Sequence, residues 1–188
     1  MTNSYFANPV IFLVDTLFYL YMMVVALRIV MQWAHWEYHN PLVQFIIRVT
    51  QPPVKLLRRI IPAWGRWDSA TIVLLVLVSL FKIILLALLQ SAIPGILLLL
   101  RLIVADIFSL FITLFTASII IEAILSWVTP PGSYNPVMPL LSRMNYPILK
   151  PFRRWLPPIS GLDLSPLVAL LALQVIAMLV MPLLTRSM

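Results

Sequence analysis

Four apolar segments, each long enough to cross a bilayer, restrict this chain to one class of fold before any other feature is weighed. They run from about Val10 to Trp33, Thr71 to Leu89, Val104 to Trp127 and Leu164 to Leu184. A hydrocarbon core ~30 Å thick takes ~20 helical residues per crossing. The expected architecture is an all-α integral membrane protein with four transmembrane helices. Of 188 residues, 62% are hydrophobic and 10% charged, and the mean hydropathy is +1.03. What remains between the spans is too short for a soluble domain with its own core, which excludes a large enzyme domain. The chain has no cysteine, so disulfides, thiolate-bound zinc, iron–sulfur clusters and a thiol nucleophile are excluded as well.

The amino-terminal stretch Met1 to Asn8 carries no Lys or Arg, and no small-residue cleavage site follows it. The first span is therefore expected to stay in the mature protein. The turn Gln90-Ser91-Ala92-Ile93-Pro94-Gly95 closes a tight helical hairpin. The apolar stretch Ile96 to Val128 exceeds one crossing, which places Leu97 to Arg101 near the surface. Most of the charge lies in two Pro-rich stretches, Ala34 to Asp68 and Thr129 to Asp163. The first holds Arg48, Lys55, Arg58, Arg59 and Arg66, the second Arg143, Lys150, Arg153 and Arg154. By the positive-inside bias both stretches face the cytoplasm and both termini face outward. All six tryptophans, Trp33, Trp36, Trp64, Trp67, Trp127 and Trp155, fall at or within these stretches, as an interfacial aromatic belt would require.

The chain also repeats itself. Asn40-Pro41 recurs 95 residues later as Asn135-Pro136, and the register holds for Pro52 with Pro147, Lys55 with Lys150, Arg58-Arg59 with Arg153-Arg154, Pro62 with Pro157 and Asp68 with Asp163. One residue of slippage aligns Trp33 with Trp127. Residues 1–95 and 96–188 thus form two repeats, each a span, a basic amphipathic segment and a second span. Because each repeat crosses twice, the two run parallel, and pseudo-two-fold symmetry about the membrane normal is expected.

Asn-Pro, then Pro-x-x-Lys with Arg-Arg and a further Pro, then Asp, each present twice in a four-span chain, resembles the YggT (YlmG-like) family over essentially the whole length. Gly65 against Ser160 and Ser69 against Leu164 depart from the internal repeat. The resemblance implies a multi-pass protein of the bacterial inner membrane, in a family of bacterial and plastid proteins without an established biochemical activity. Members have been linked to osmotic tolerance and ion uptake, to cell division and envelope organisation, and in plastids to nucleoid distribution and cytochrome assembly.

Several residues could carry function. Pro52-Pro53 is expected to open a short interfacial helix on which Lys55, Arg58 and Arg59 share a face, and Lys150, Arg153 and Arg154 repeat this. Two readings stand for these stripes: they fix topology, or they bind anionic lipid or a partner. Nucleic acid is not an expected partner, because the stripes are short and membrane-apposed and carry no reading motif. Charges inside spans are costly and mark function by default. Arg28 and Glu122 occupy matching positions with opposite sign, which points to an ion pair between them, and Lys82 is within reach of Asp15 or Asp106. Such pairs either hold helices together or line an ion or proton path. His35 and His39 have an i, i+4 spacing but no evident third ligand, and Asn40-Pro41 disfavours a helix there, so no metal is expected. Asp68, Asp163, Asn40 and Asn135 suit capping and turn roles. Four glycines leave little for a cofactor loop, and no catalytic constellation or cofactor is expected. The leading functional expectation is a non-catalytic scaffold or assembly factor that engages anionic lipid and membrane partners or itself. The alternative is a small channel or transport accessory in ion uptake and osmotic tolerance.

Overall fold

The computed structural model describes residues 3–61, 68–91, 94–128, 135–155 and 163–185. They form six helices: α1 (Asn3–Trp33), α2 (Pro41–Leu57), α3 (Ser69–Leu89), α4 (Ile96–Val128), α5 (Met138–Trp155) and α6 (Ser165–Thr185). Four are spans: Asn8–Trp33, Ser69–Leu89, Ile96–Ser126 and Ser165–Thr185. α4 runs unbroken, ~50 Å at 1.5 Å per residue, and Leu97 to Arg101 form its first turns. Pro62, Pro157, Trp64, Trp67, Arg66, Gly65, Ser160 and the side chain of Trp127 lie outside the described residues.

α2 and α5 are longer than the short helices expected at Pro52 and its counterpart. α2 starts at Pro41, whose absent N–H costs nothing in the first turn. Asn40 caps it, Oδ1 accepting from the Leu42 N–H at 2.9 Å. Pro52 and Pro53 lie inside the helix, where each removes one backbone hydrogen bond. In α5, Pro147 and Pro151 lie inside likewise. Both helices are strongly amphipathic. α2 buries Val43, Ile46, Thr50 and Val54, spaced by three or four residues as one helix face requires. In α5, Leu141, Asn145 and Leu149 repeat Ile46, Thr50 and Val54 at the same 95-residue spacing.

Packing within the two repeats is alike: α1 packs on α2 and α3, and α4 on α5 and α6. Between the repeats it is one-sided. α3 packs on both α1 and α4, whereas α6 packs on α4 and α5 with no comparable packing on α1 among the described residues. The main core joins Met22, Val25 and Ala26 of α1 to Leu74 and Leu75 of α3, Leu110 and Leu114 of α4 and the buried faces of α2 and α5. A smaller cluster, Ile119, Leu149 and Ala169, sits within the second repeat. Trp36 is 6% exposed and belongs to this main core, unlike Trp33 and Trp155 at the surface.

Candidate functional site

The polar side chains of the spans gather in two layers. The first lies where the surface helices meet the spans. Arg28 in α1 does not reach Glu122. Its Nη1 donates to Thr50 Oγ1 (2.8 Å), its Nη2 donates to Gln51 Oε1 (3.0 Å), and Nη2 lies 3.7 Å from Asp68 Oδ2. Asp68 in turn accepts two hydrogen bonds from Arg58, at 2.6 and 3.2 Å, and one from Thr71 Oγ1 at 2.7 Å. Glu122 in α4 builds the equivalent group with the signs exchanged. Asn145 Nδ2 donates to its Oε2 (2.7 Å), Arg153 lies 3.8 Å away, and Arg153 donates to Asp163 at 2.9 Å. Ser118 Oγ donates to Asn145 Oδ1 at 2.7 Å.

This explains residues that the sequence reading passed over. Thr50 and Asn145 occupy the same position in the two repeats. Opposite the donor Arg28 stands a hydroxyl that accepts, and opposite the acceptor Glu122 stands an amide that donates. The signal was present as polar residues on the otherwise apolar faces of α2 and α5. The charge triads alternate in the same way, Arg28–Asp68–Arg58 against Glu122–Arg153–Asp163. An opposite charge thus faces each buried one, as burial in low dielectric demands.

The second layer lies roughly 20–24 Å away along the helices, counting 13 to 16 residues from Arg28, Asp68 and Glu122. Here buried Lys82 of α3 forms an ion pair with Asp106 of α4, and Asp15 of α1 stands 3.5 Å off. Ser79 donates to Asp106 at 2.7 Å, and the Tyr19 ring lies 5.8 Å from the ammonium. Lys82 therefore serves both carboxylates it was expected to choose between. A cavity of about 660 Å³ adjoins these charges, with Gln90, Ser109 and Thr185 also in its wall, at the end of the bundle where the α3–α4 turn lies. Between the layers Met22, Val25, Leu74, Leu75, Leu110 and Leu114 are buried, so apolar side chains fill the interval.

Of the two basic stripes, Arg58 and Arg153 are engaged within the molecule, while Lys55, Arg59, Lys150 and Arg154 are exposed. Asn135 Oδ1 accepts from the Val137 N–H (2.9 Å), and Asn40 Nδ2 donates to the Pro136 carbonyl (2.7 Å), tying the repeats together. Arg143 adds a second tie, to Glu37 (2.7 Å) and the His35 carbonyl (3.1 Å). His35 has φ +52°, a left-handed conformation that reverses the chain after α1. Among the described residues no third metal-ligating side chain accompanies His35 and His39.

Asp68 and Asp163 lie just outside the spans. Partial burial alone would raise both carboxyls. The hydrogen bonds from Arg58 and Thr71, and from Ser165 and Arg153, outweigh it and hold both below the usual range. A depressed carboxyl stabilises the fold above its unfolded value of ~3.9 and loses that contribution as pH falls through the folded value. The helical signal in detergent is expected to hold from pH 7 to about 4 and weaken below. In the Asp68→Asn, Asp163→Asn double variant this acid limb should flatten.

The family model described as CCB3/YggT matches residues 7–89 and, a second time, residues 101–184. The chain belongs to the CCB3/YggT family. The two matches divide it into the two repeats that the polar layers display, each with its own triad. Among the relatives of this CCB3/YggT protein, the uncharacterised protein PA0392 of Pseudomonas aeruginosa is 44% identical over 90% of this chain and 87% of its own length. The uncharacterised protein YggT of Escherichia coli is 40% identical over 91% and 88%. The chloroplastic YlmG homolog protein 2 of Arabidopsis thaliana is 37% identical over 34% of this chain and 24% of its own. No solved structure matches.

Proposed function

We propose that this CCB3/YggT protein is a non-catalytic scaffold or assembly factor of the bacterial inner membrane, engaging anionic lipid and membrane partners through the basic surfaces of its repeats. The observation that carries the reading is the disposition of charge. Arg28, Glu122 and Lys82 are each closed into a cluster with an opposite charge, and an apolar layer separates the two levels. Among the exposed cations, Lys55, Arg59, Lys150 and Arg154 lie in, or just after, the carboxy-terminal halves of the two surface helices. In this reading that side faces the cytoplasm and both termini face outward, and the cations add roughly 1 kcal/mol each at an anionic leaflet.

Neutralising these four to Gln is expected to abolish a preference for phosphatidylglycerol over phosphatidylcholine around the reconstituted protein, read by spin-labelled lipid competition. A preference unchanged by the substitutions refutes the lipid half of the proposal. The cavity beside Asp15, Lys82 and Asp106 favours a second reading, a transport accessory in osmotic balance. Potassium and proton flux in proteoliposomes separates the two. The scaffold reading expects none above empty liposomes, and flux lost in Lys82→Met and Asp106→Asn would replace it.

A further inference from the structure

α6 is the least buried of the four spans. An exposed apolar span needs only lipid around it, yet α6 carries Gln174. That residue is exposed, and its amide has no hydrogen-bond partner among the described residues. It stands 9 residues after Ser165 and 11 before Thr185, roughly 14 and 17 Å from the two ends of the helix. At that depth the surroundings are hydrocarbon. Lipid ester and phosphate oxygens lie out of reach, and the side chain is too short to snorkel to either surface. An unmet amide in hydrocarbon is costly, and the usual remedy is a hydrogen bond to another helix.

Two further observations identify that helix. Leu167, Leu171, Gln174 and Met178 follow one another at spacings of four, three and four, the seam of a left-handed helix pair, and the three apolar members are all exposed. Gln174 also lies 95 residues after Ser79, at the repeat offset. In α3 that position is buried and already joins one repeat to the other, Ser79 donating to Asp106 of α4. The position of α6 that corresponds to a repeat–repeat contact is therefore the one left with an unbonded amide.

We infer that two copies of this chain pair through α6 about a two-fold axis along the membrane normal, with their Gln174 side chains bonded to each other. A primary amide is both donor and acceptor, so Nε2 of each copy donates to Oε1 of the other. Copies inserted in the same sense hold the two amides at equal depth, and two-fold pairing is the commonest symmetry of homo-oligomers. A head-to-tail contact of α6 with α1 of a second copy serves the amide less well, because the α1 position matching Asp106 is Phe12, which has no acceptor. The pairing rests on α6 alone and is independent of the exposed cations and of the proposed function.

The chain has no cysteine, so single-cysteine variants of the full chain report the contact directly when oxidised in membranes. Leu171→Cys and Met178→Cys should each give a disulfide-linked dimer. Ile176→Cys, at an exposed position of similar depth turned about 200° from Gln174, should stay at background. In liposomes, energy transfer between labelled wild-type copies should fall as added lipid dilutes them and yield a dissociation constant. Gln174→Leu should raise that constant about tenfold, the loss expected when two interhelical amide hydrogen bonds go. It leaves α6 more apolar and as able to span, so a lost dimer is not a lost fold. Cross-linking as strong at Ile176 as at Leu171, or a dissociation constant unchanged by Gln174→Leu, overturns the inference. So does a Phe12→Cys chain joined to a Met178→Cys chain in place of the self-pair, which would make the contact head-to-tail.

Discussion

Asp68→Asn will destabilise the protein by about 3–5 kcal/mol, the loss typical of removing one partner from a buried ion pair. Asp68 is the only acidic residue against Arg28 among the described residues, and their side chains are 5% and 4% exposed. Thr50 and Gln51 can accept from Arg28 but carry no charge, so the variant leaves a guanidinium uncompensated at the edge of the bilayer. The same carboxylate also accepts from Arg58 and Thr71, so one substitution dismantles the junction of α1, α2 and α3. Arg58→Gln should cost far less, because that side chain is 45% exposed and water replaces what it loses. Combining Asp68→Asn with Arg28→Met should recover much of the loss, since no buried charge remains unpaired. Thermal unfolding in a mild detergent measures all three. Equal effects of Asp68→Asn and Arg58→Gln would refute the assignment. Arg28→Gln and Glu122→Gln, by contrast, should act additively, because the two residues belong to separate triads.

The second large effect is expected at Lys82→Met. It leaves Asp106 and the half-exposed Asp15 close together without their cation in the outer part of the spans, at up to about 3 kcal/mol on insertion-based estimates. Lys82 is 4% exposed and joins α3 of the first repeat to α4 of the second, so its loss should loosen the repeats from each other more than either internally. Lys82→Met combined with Asp106→Leu should be markedly more stable than Lys82→Met alone. Hydrogen exchange should show faster opening along the α3–α4 contact in the single variant and slower opening in the double. A double variant as unstable as the sum of its singles would remove the pair from the account.

Much of this architecture was legible in the residues because hydropathy and the lipid solvent are local rules. A run of ~20 apolar residues has no other way to satisfy its backbone in hydrocarbon. The two surface helices were legible only in part. Pro52-Pro53 suggested a helix start, yet the chain starts α2 at Asn40-Pro41 and carries both prolines inside it. The apolar face that α2 buries on the spans sustains the helix across the two missing hydrogen bonds. Trp36 looked like a member of the interfacial belt until the left-handed turn at His35 folded it into the core.

By itself the sequence determined the four spans, the duplication, and the matched positions of Arg28 and Glu122 in the two repeats. Only the tertiary structure decided which charge meets which. Partner choice depends on which helix faces which neighbour, and each step of one residue turns a side chain by ~100°. The clearest case is the broken symmetry. The α3–α4 contact is held by Lys82 and Asp106, whereas the matching positions are Ala177 on α6 and Phe12 on α1. With no charge to neutralise there, no equivalent ion pair joins α6 to α1 among the described residues.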